Sequence, residues 1–171
     1  MNEAAFLQYL TDHDIPFEYY AHEAVYTTAE SDKYHVNIDA MSVKNLFLGN
    51  QDESHHYLYS CPAALRTDLK KLGKALGETR LHFASEESLT ELLGLSRGSV
   101  TPLAIINDTQ QKVSLLFEES FWQAPRMLLH PLVNTASIVL THEGFTAYLK
   151  SLNRTFQVVK VEADSIYLVD P

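Results

Sequence analysis

Ser42-Val43-Lys44-Asn45-Leu46-Phe47-Leu48 puts a lysine and an asparagine at the mouth of an otherwise apolar strand. Strand alternation sends Val43, Asn45 and Phe47 to one face and Lys44, Leu46 and Leu48 to the other, so one strong hydrogen-bonding group points each way. Such a pattern makes a poor core strand and a reasonable site strand. The plain alternative is that Lys44 ends the strand by reaching water, since lysine is almost never fully buried. A second stretch has the same character. His130-Pro131-Leu132-Val133-Asn134-Thr135-Ala136-Ser137 follows the apolar Met127-Leu128-Leu129 and precedes another strand, Ile138-Val139-Leu140.

Taken together, and in this order, these stretches resemble the YbaK/prolyl-tRNA-synthetase-associated editing domains, which hydrolyse wrongly charged tRNA. The free-standing branch that removes alanine from proline tRNA matches best. Further landmarks follow in register along the chain to about residue 160: His22-Glu23-Ala24-Val25-Tyr26-Thr27, Leu69-Lys70-Lys71-Leu72, Phe83-Ala84-Ser85-Glu86-Glu87, Leu92-Leu93-Gly94-Leu95, Gly98-Ser99-Val100-Thr101-Pro102 and Ile106-Asn107-Asp108. One departure stands out. The family usually has glycine two residues before the histidine of its His-Pro pair, and this chain has Leu128; glycine allows a close backbone approach to a ligand, so the amino-acid pocket should differ in shape here.

With 171 residues and 46% hydrophobic content, one domain with a sizeable core is expected. The start, Met1-Asn2-Glu3-Ala4-Ala5-Phe6, lacks the basic and apolar runs of a secretory signal, and no apolar run approaches membrane-spanning length. A single cysteine, Cys61, leaves no internal disulfide and fits a reducing, cytoplasmic setting. The net charge of −9 argues against general affinity for nucleic acid, DNA included. Its distribution is uneven. Residues 66–80 carry five bases (Arg66, Lys70, Lys71, Lys74, Arg80) against two acids (Asp68, Glu78), a local +3 that leaves −12 elsewhere.

Periodicity and turn chemistry predict helices over 3–12, near 27–30, over 65–76, 85–94 and 141–152, with strands over 15–20, 43–48, 55–59, 80–84, 103–107, 113–117, 138–140 and 156–161. Hairpins mixed with helices give an α+β fold: a mixed, largely antiparallel sheet flanked by helices. The resemblance implies that this sheet is curved, with the site over one end. A single editing domain is expected over residues 1–162, with 163–171 an unassigned tail.

Two other patterns lead away from this reading. Gly94-Leu95-Ser96-Arg97-Gly98 matches a nucleophile elbow, but a helix ends at Gly94 where the elbow needs a strand. Neither His22-Glu23 nor His142-Glu143 has the second histidine of a zinc-protease helix, because Tyr26 and Thr146 stand there. No metal or other cofactor is expected, and Cys61 reads as a small buried hydrophobe.

For the site, the resemblance favours Lys44, His130 and Asn45 as catalytic and Asn134, Ser137 and His22 as substrate-binding. Lys44 would be a fixed positive charge for a phosphate or a developing oxyanion. His130 would orient water or the ester as a neutral imidazole. Asn45 and Asn134 would hold ribose or carbonyl, and the tRNA's own terminal hydroxyl is implied to assist. The expected partner is an aminoacylated acceptor end, with delivery by a tRNA synthetase left open and no membrane involved. Removal of cysteine instead of alanine, a silent acceptor-end binder and a metal-independent esterase for small acyl substrates remain alternatives.

Overall fold

The computed structural model describes residues 1–35 and 37–171, apart from the side chains of residues 28, 31, 32 and 35. Its elements are α1 (Glu3–Asp12), β1 (Glu18–Ala21), α2 (Thr28–His35), β2 (Met41–Gly49), β3 (His56–Pro62), α3 (Leu69–Ala75), β4 (His82–Phe83) and α4 (Glu86–Leu93). A 3-10 helix (Pro102–Asn107) follows, then β5 (Val113–Glu118), α5 (Glu119–Gln123), β6 (Arg126–Leu129), β7 (Ala136–Thr141), α6 (His142–Ser151), β8 (Phe156–Val161) and β9 (Ile166–Val169). The strands form one mixed sheet in the order β1-β7-β6-β2-β3-β5-β8-β9, with β4 paired to β2 off that path. Parallel pairing is confined to β2 with β6, β3 with β5 and β5 with β8. The expected α+β sheet with flanking helices is what forms.

Alternation along the central strands gives each face its own core. Phe47, Leu58, Leu115 and Phe117 meet Phe6, Leu10, Leu93 and Phe145 from α1, α4 and α6. Leu48, Tyr57, Tyr59 and Leu116 point the other way and pack with Leu72 of α3 and Leu81. Several helix ends follow from local chemistry. Ser85 and Thr141 accept hydrogen bonds from the backbone N–H groups of Ser88 and Gly144, and Gly94 adopts φ +65° to stop α4. Thr27 Oγ1 accepts from Glu30 N at 3.1 Å and caps α2.

Three expectations need correction, and one unassigned stretch gains an element. Residues 103–107 form the 3-10 helix and not a strand, because Thr101 caps it and Pro102 occupies its first turn. The helix expected from residue 65 begins at Leu69, since Asp68 accepts from the N–H groups of Lys70 and Lys71; Leu65 and Arg66 therefore precede it. The strand expected over 80–84 shrinks to His82–Phe83, with Arg80 at φ +50°. Residues 163–171, left unassigned from the sequence, contain β9, which lies antiparallel to β8 from Val158↔Val169 to Val161↔Ile166.

A buried ion pair fastens this end of the sheet. Arg154 Nη1 lies 3.3 Å from Asp108 Oδ2, with side chains 6% and 2% exposed. Asp108 also accepts from Lys112 N at 3.0 Å and Val113 N at 2.8 Å. Removing one partner leaves the other charge buried without compensation. Arg154→Ala should therefore lower unfolding free energy by about 3–5 kcal/mol in urea titration; a change below about 1 kcal/mol would show that the pair is not structural.

Candidate active site

The site follows from the way β2 is paired. One edge meets β3 continuously from Val43↔Pro62 to Gly49↔His56. The other edge meets β6 only at Met41 and Ser42, and β4 only at Leu48 and Gly49. Residues 43–46 thus have no strand partner on that edge among the described residues. A cavity of about 420 Å3 opens there, lined on the β2 side by Ser42, Val43, Lys44 and Asn45. Leu128, Leu129 and His130 line it from β6 and the turn beyond, Ser137 from β7, and Gly98 and Val100 from the loop after α4. Four consecutive residues of one strand can all border it because it lies beside the strand edge and not over one face.

Lys44 and His130 accordingly share one cavity despite their separation in sequence. Lys44 Nζ donates to the carbonyl of Leu65 at 2.6 Å, in the loop that leads into α3. Among the described residues lining the cavity it is the one formal charge. Asn45 is fixed from both ends. Its Oδ1 accepts from Ser60 Oγ at 2.7 Å and its Nδ2 donates to the carbonyl of Val100 at 3.3 Å, which leaves a second amide hydrogen for a ligand.

His130 Nδ1 lies 3.2 Å from the carbonyl of Ala136. A carbonyl only accepts, so Nδ1 carries the proton and Nε2 of the neutral ring is left as an acceptor. Burial depresses its pKa below the usual histidine value, the Ala136 carbonyl opposes that shift, and the charge of protonated His22 adds to it. The turn that follows His130 passes through Leu132 at φ +68°, a left-handed conformation that side-chain-bearing residues seldom adopt.

Ser137 is 1% exposed and its Oγ lies 2.9 Å from His22 Nε2. His22 Nδ1 donates to the carbonyl of Glu23 at 2.7 Å, so in the neutral ring the Ser137 hydroxyl is the donor to Nε2. The His22 ring stacks on Tyr34, with centroids 5.2 Å apart. His22 does not itself line the cavity but is hydrogen-bonded to Ser137, which does. Asn134 does not line it either: its Nδ2 donates to the carbonyl of Val25 at 3.1 Å and its own carbonyl accepts from Val25 N at 3.2 Å. It braces the segment that passes along the rim. Leu128 takes its place in the wall where the glycine would have left space.

Tyr26, Thr27, Ser42, Gly98 and Val100 also border the cavity and were not singled out from the sequence. Ser96 is exposed after the α4 cap and lies in no strand-to-helix elbow. Cys61 is fully buried, and burial pushes its thiol pKa up, away from reactivity.

Residues 22–148 match the family model of the aminoacyl-tRNA editing domain, and the chain belongs to that family. It is 34% identical over 141 residues to the prolyl-tRNA editing protein ProX of Acetoanaerobium sticklandii, a match covering 82% of this chain and 85% of the relative. The prolyl-tRNA synthetase associated domain-containing protein 1 of Xenopus laevis is 30% identical over 148 residues, with 84% and 88% covered. In fold it resembles the crystal structure of a candidate trans-editing enzyme for prolyl tRNA synthetase, at a TM-score of 0.69 and 19% identity, covering 100% of this chain and 99% of the other.

The depressed His130 pKa has a direction that can be checked. Its folded ring binds a proton less readily than the unfolded one, so this residue's contribution to stability is complete above about pH 6.5 and is lost progressively from there as pH falls through the lower folded pKa. NMR titration should place the His130 midpoint below 6.5; a midpoint at or above it would remove the argument for a neutral ring.

Proposed function

We propose that the chain is a trans-editing deacylase that hydrolyses the ester of mischarged proline tRNA, with alanine as the residue removed. The observation that carries this is the convergence of Lys44 and His130 on one cavity, in a chain of the editing family whose relative is named for prolyl-tRNA editing. An aminoacyl ester is already prone to hydrolysis, so placement and charge stabilisation suffice. Water attacks the carbonyl carbon as His130 Nε2 accepts its proton, with the tRNA's terminal hydroxyl assisting as the resemblance implies. The Lys44 ammonium faces the developing oxyanion or the terminal phosphate, and Asn45 holds the carbonyl or the ribose. The C–O bond then breaks, and the ribose oxygen leaves and takes up the proton. One imidazole with no carboxylate in the wall is a poor donor set for a metal, which favours this metal-free route.

A basic surface lies on the side of the sheet where Lys44 meets Leu65. The five bases of residues 66–80 are all exposed, and none forms an ion pair among the described residues. Lys70, Lys74, Arg80 and His82 border a hollow of about 550 Å3 there. Phosphates of the acceptor stem are its natural ligand, and an overall acidic protein gains its affinity for RNA from this patch.

Alanine is favoured over proline on volume in this reading, with Leu128, which borders the cavity where the family usually has glycine, narrowing the space left for the larger ring. A panel of tRNAs charged with alanine, cysteine, serine, glycine and proline tests the reading: alanine should be released from proline tRNA fastest, and release of none would end it. Lys44→Ala should cut the rate by roughly a hundredfold or more with an unchanged melting curve; wild-type rates would refute its role. Leu128→Gly should raise release of proline relative to alanine in the same assay, whereas an unchanged ratio would exclude Leu128 from substrate selection.

A further inference from the structure

Tyr26 is the most exposed large hydrophobic side chain among the described residues, at 68%, and it stands on the rim of the cavity. Its backbone is anchored on both sides, and one face of its ring has a seat. The preceding Val25 is buried, with both backbone polar atoms bonded to Asn134. Tyr26 N donates to Glu30 Oε2 at 2.8 Å, and the next residue, Thr27, caps α2. The ring rests on Gly98: a Cβ built there would lie 2.9 Å from Tyr26 Cδ1, and φ at Gly98 is +90°. An aromatic ring is therefore fixed beside the site while most of it faces solvent. Tyr34 is different, since its ring is stacked on His22 and its hydroxyl donates to Glu23 Oε2 at 3.1 Å.

An aminoacyl ester is carried on the ribose of the terminal adenosine of a tRNA. With the ester at Lys44 and His130, that nucleotide's base lies one sugar away, at the rim. Bases without a neighbour to stack on are bound by aromatic side chains, and a platform already in place loses little freedom on binding. We propose that Tyr26 is the surface on which the terminal adenine of the substrate stacks, an inference that rests on the deacylase reading above. It supplies affinity common to every tRNA and leaves selection to the amino-acid cavity and the acceptor stem.

The test uses an uncharged acceptor-stem RNA hairpin ending in CCA, and the same hairpin lacking only its terminal base, with affinities measured by fluorescence anisotropy. The wild-type chain should prefer the intact end by roughly tenfold. Tyr26→Ala should bind both hairpins as weakly as the wild type binds the shortened one, and Tyr26→Phe should keep the preference. In deacylation, Tyr26→Ala should raise KM with kcat retained. A preference preserved in Tyr26→Ala, or absent from the wild type, overturns the platform. Preference for the intact end in a chain that releases no amino acid would support the platform while ending the deacylase reading; hydrolysis without preference would do the reverse.

Discussion

Everything at the site depends on the two unequal edges of β2. A backbone N–H or C=O removed from water needs a partner, and β3 supplies one along the whole of one edge. On the other edge β6 and β4 take only the ends, so the middle of the strand borders a hollow instead of a neighbour. This lets Lys44 and Asn45, whose side chains leave on opposite faces, border the same space. The strand remains rigid because its other edge is complete, and a rigid strand holds both groups in place without help from a ligand.

Within that hollow, charge and neutrality are set by different means. Lys44 leans on the Leu65 carbonyl, a dipole near enough to orient it but carrying no negative charge to cancel its own. His130 is kept neutral by burial, and the Ala136 carbonyl fixes which nitrogen holds the proton. A cation beside an uncharged acceptor is the combination that stabilises a forming oxyanion while allowing a proton to move.

The fold was legible wherever local chemistry governs. Ser85, Thr141, Gly94 and the alternation from Val43 to Leu48 each announce their structure. Thr101-Pro102 starts the 3-10 helix, but the apolar run behind it reads as a strand, and length does not separate the two. The helix α5 was hidden because its cap is a glutamate, an uncommon one: Glu118 accepts from the N–H groups of Ser120 and Phe121. The strand β9 was hidden because Ile166-Tyr167-Leu168-Val169 is a four-residue apolar run, too short for periodicity to tell strand from helix. At the site, Lys44, Asn45, His130 and Ser137 could be named from the colinear resemblance, which ties strand ends together without geometry. Asn134 and Tyr26 could not be placed. The brace from Asn134 to Val25 spans 109 residues, and the seat of Tyr26 on Gly98 is a contact that no local pattern encodes.

The uneven charge has a consequence at distances beyond any contact. One exposed segment around α3 carries a surplus of three positive charges against a remainder of −12, so the molecule behaves as a dipole as well as a net anion. A polyanion meets repulsion over most of the surface and attraction over one side, and the resulting torque turns it before it docks. On the function proposed above, the orientation of an incoming RNA is thus a property of the whole surface and not of the basic segment alone.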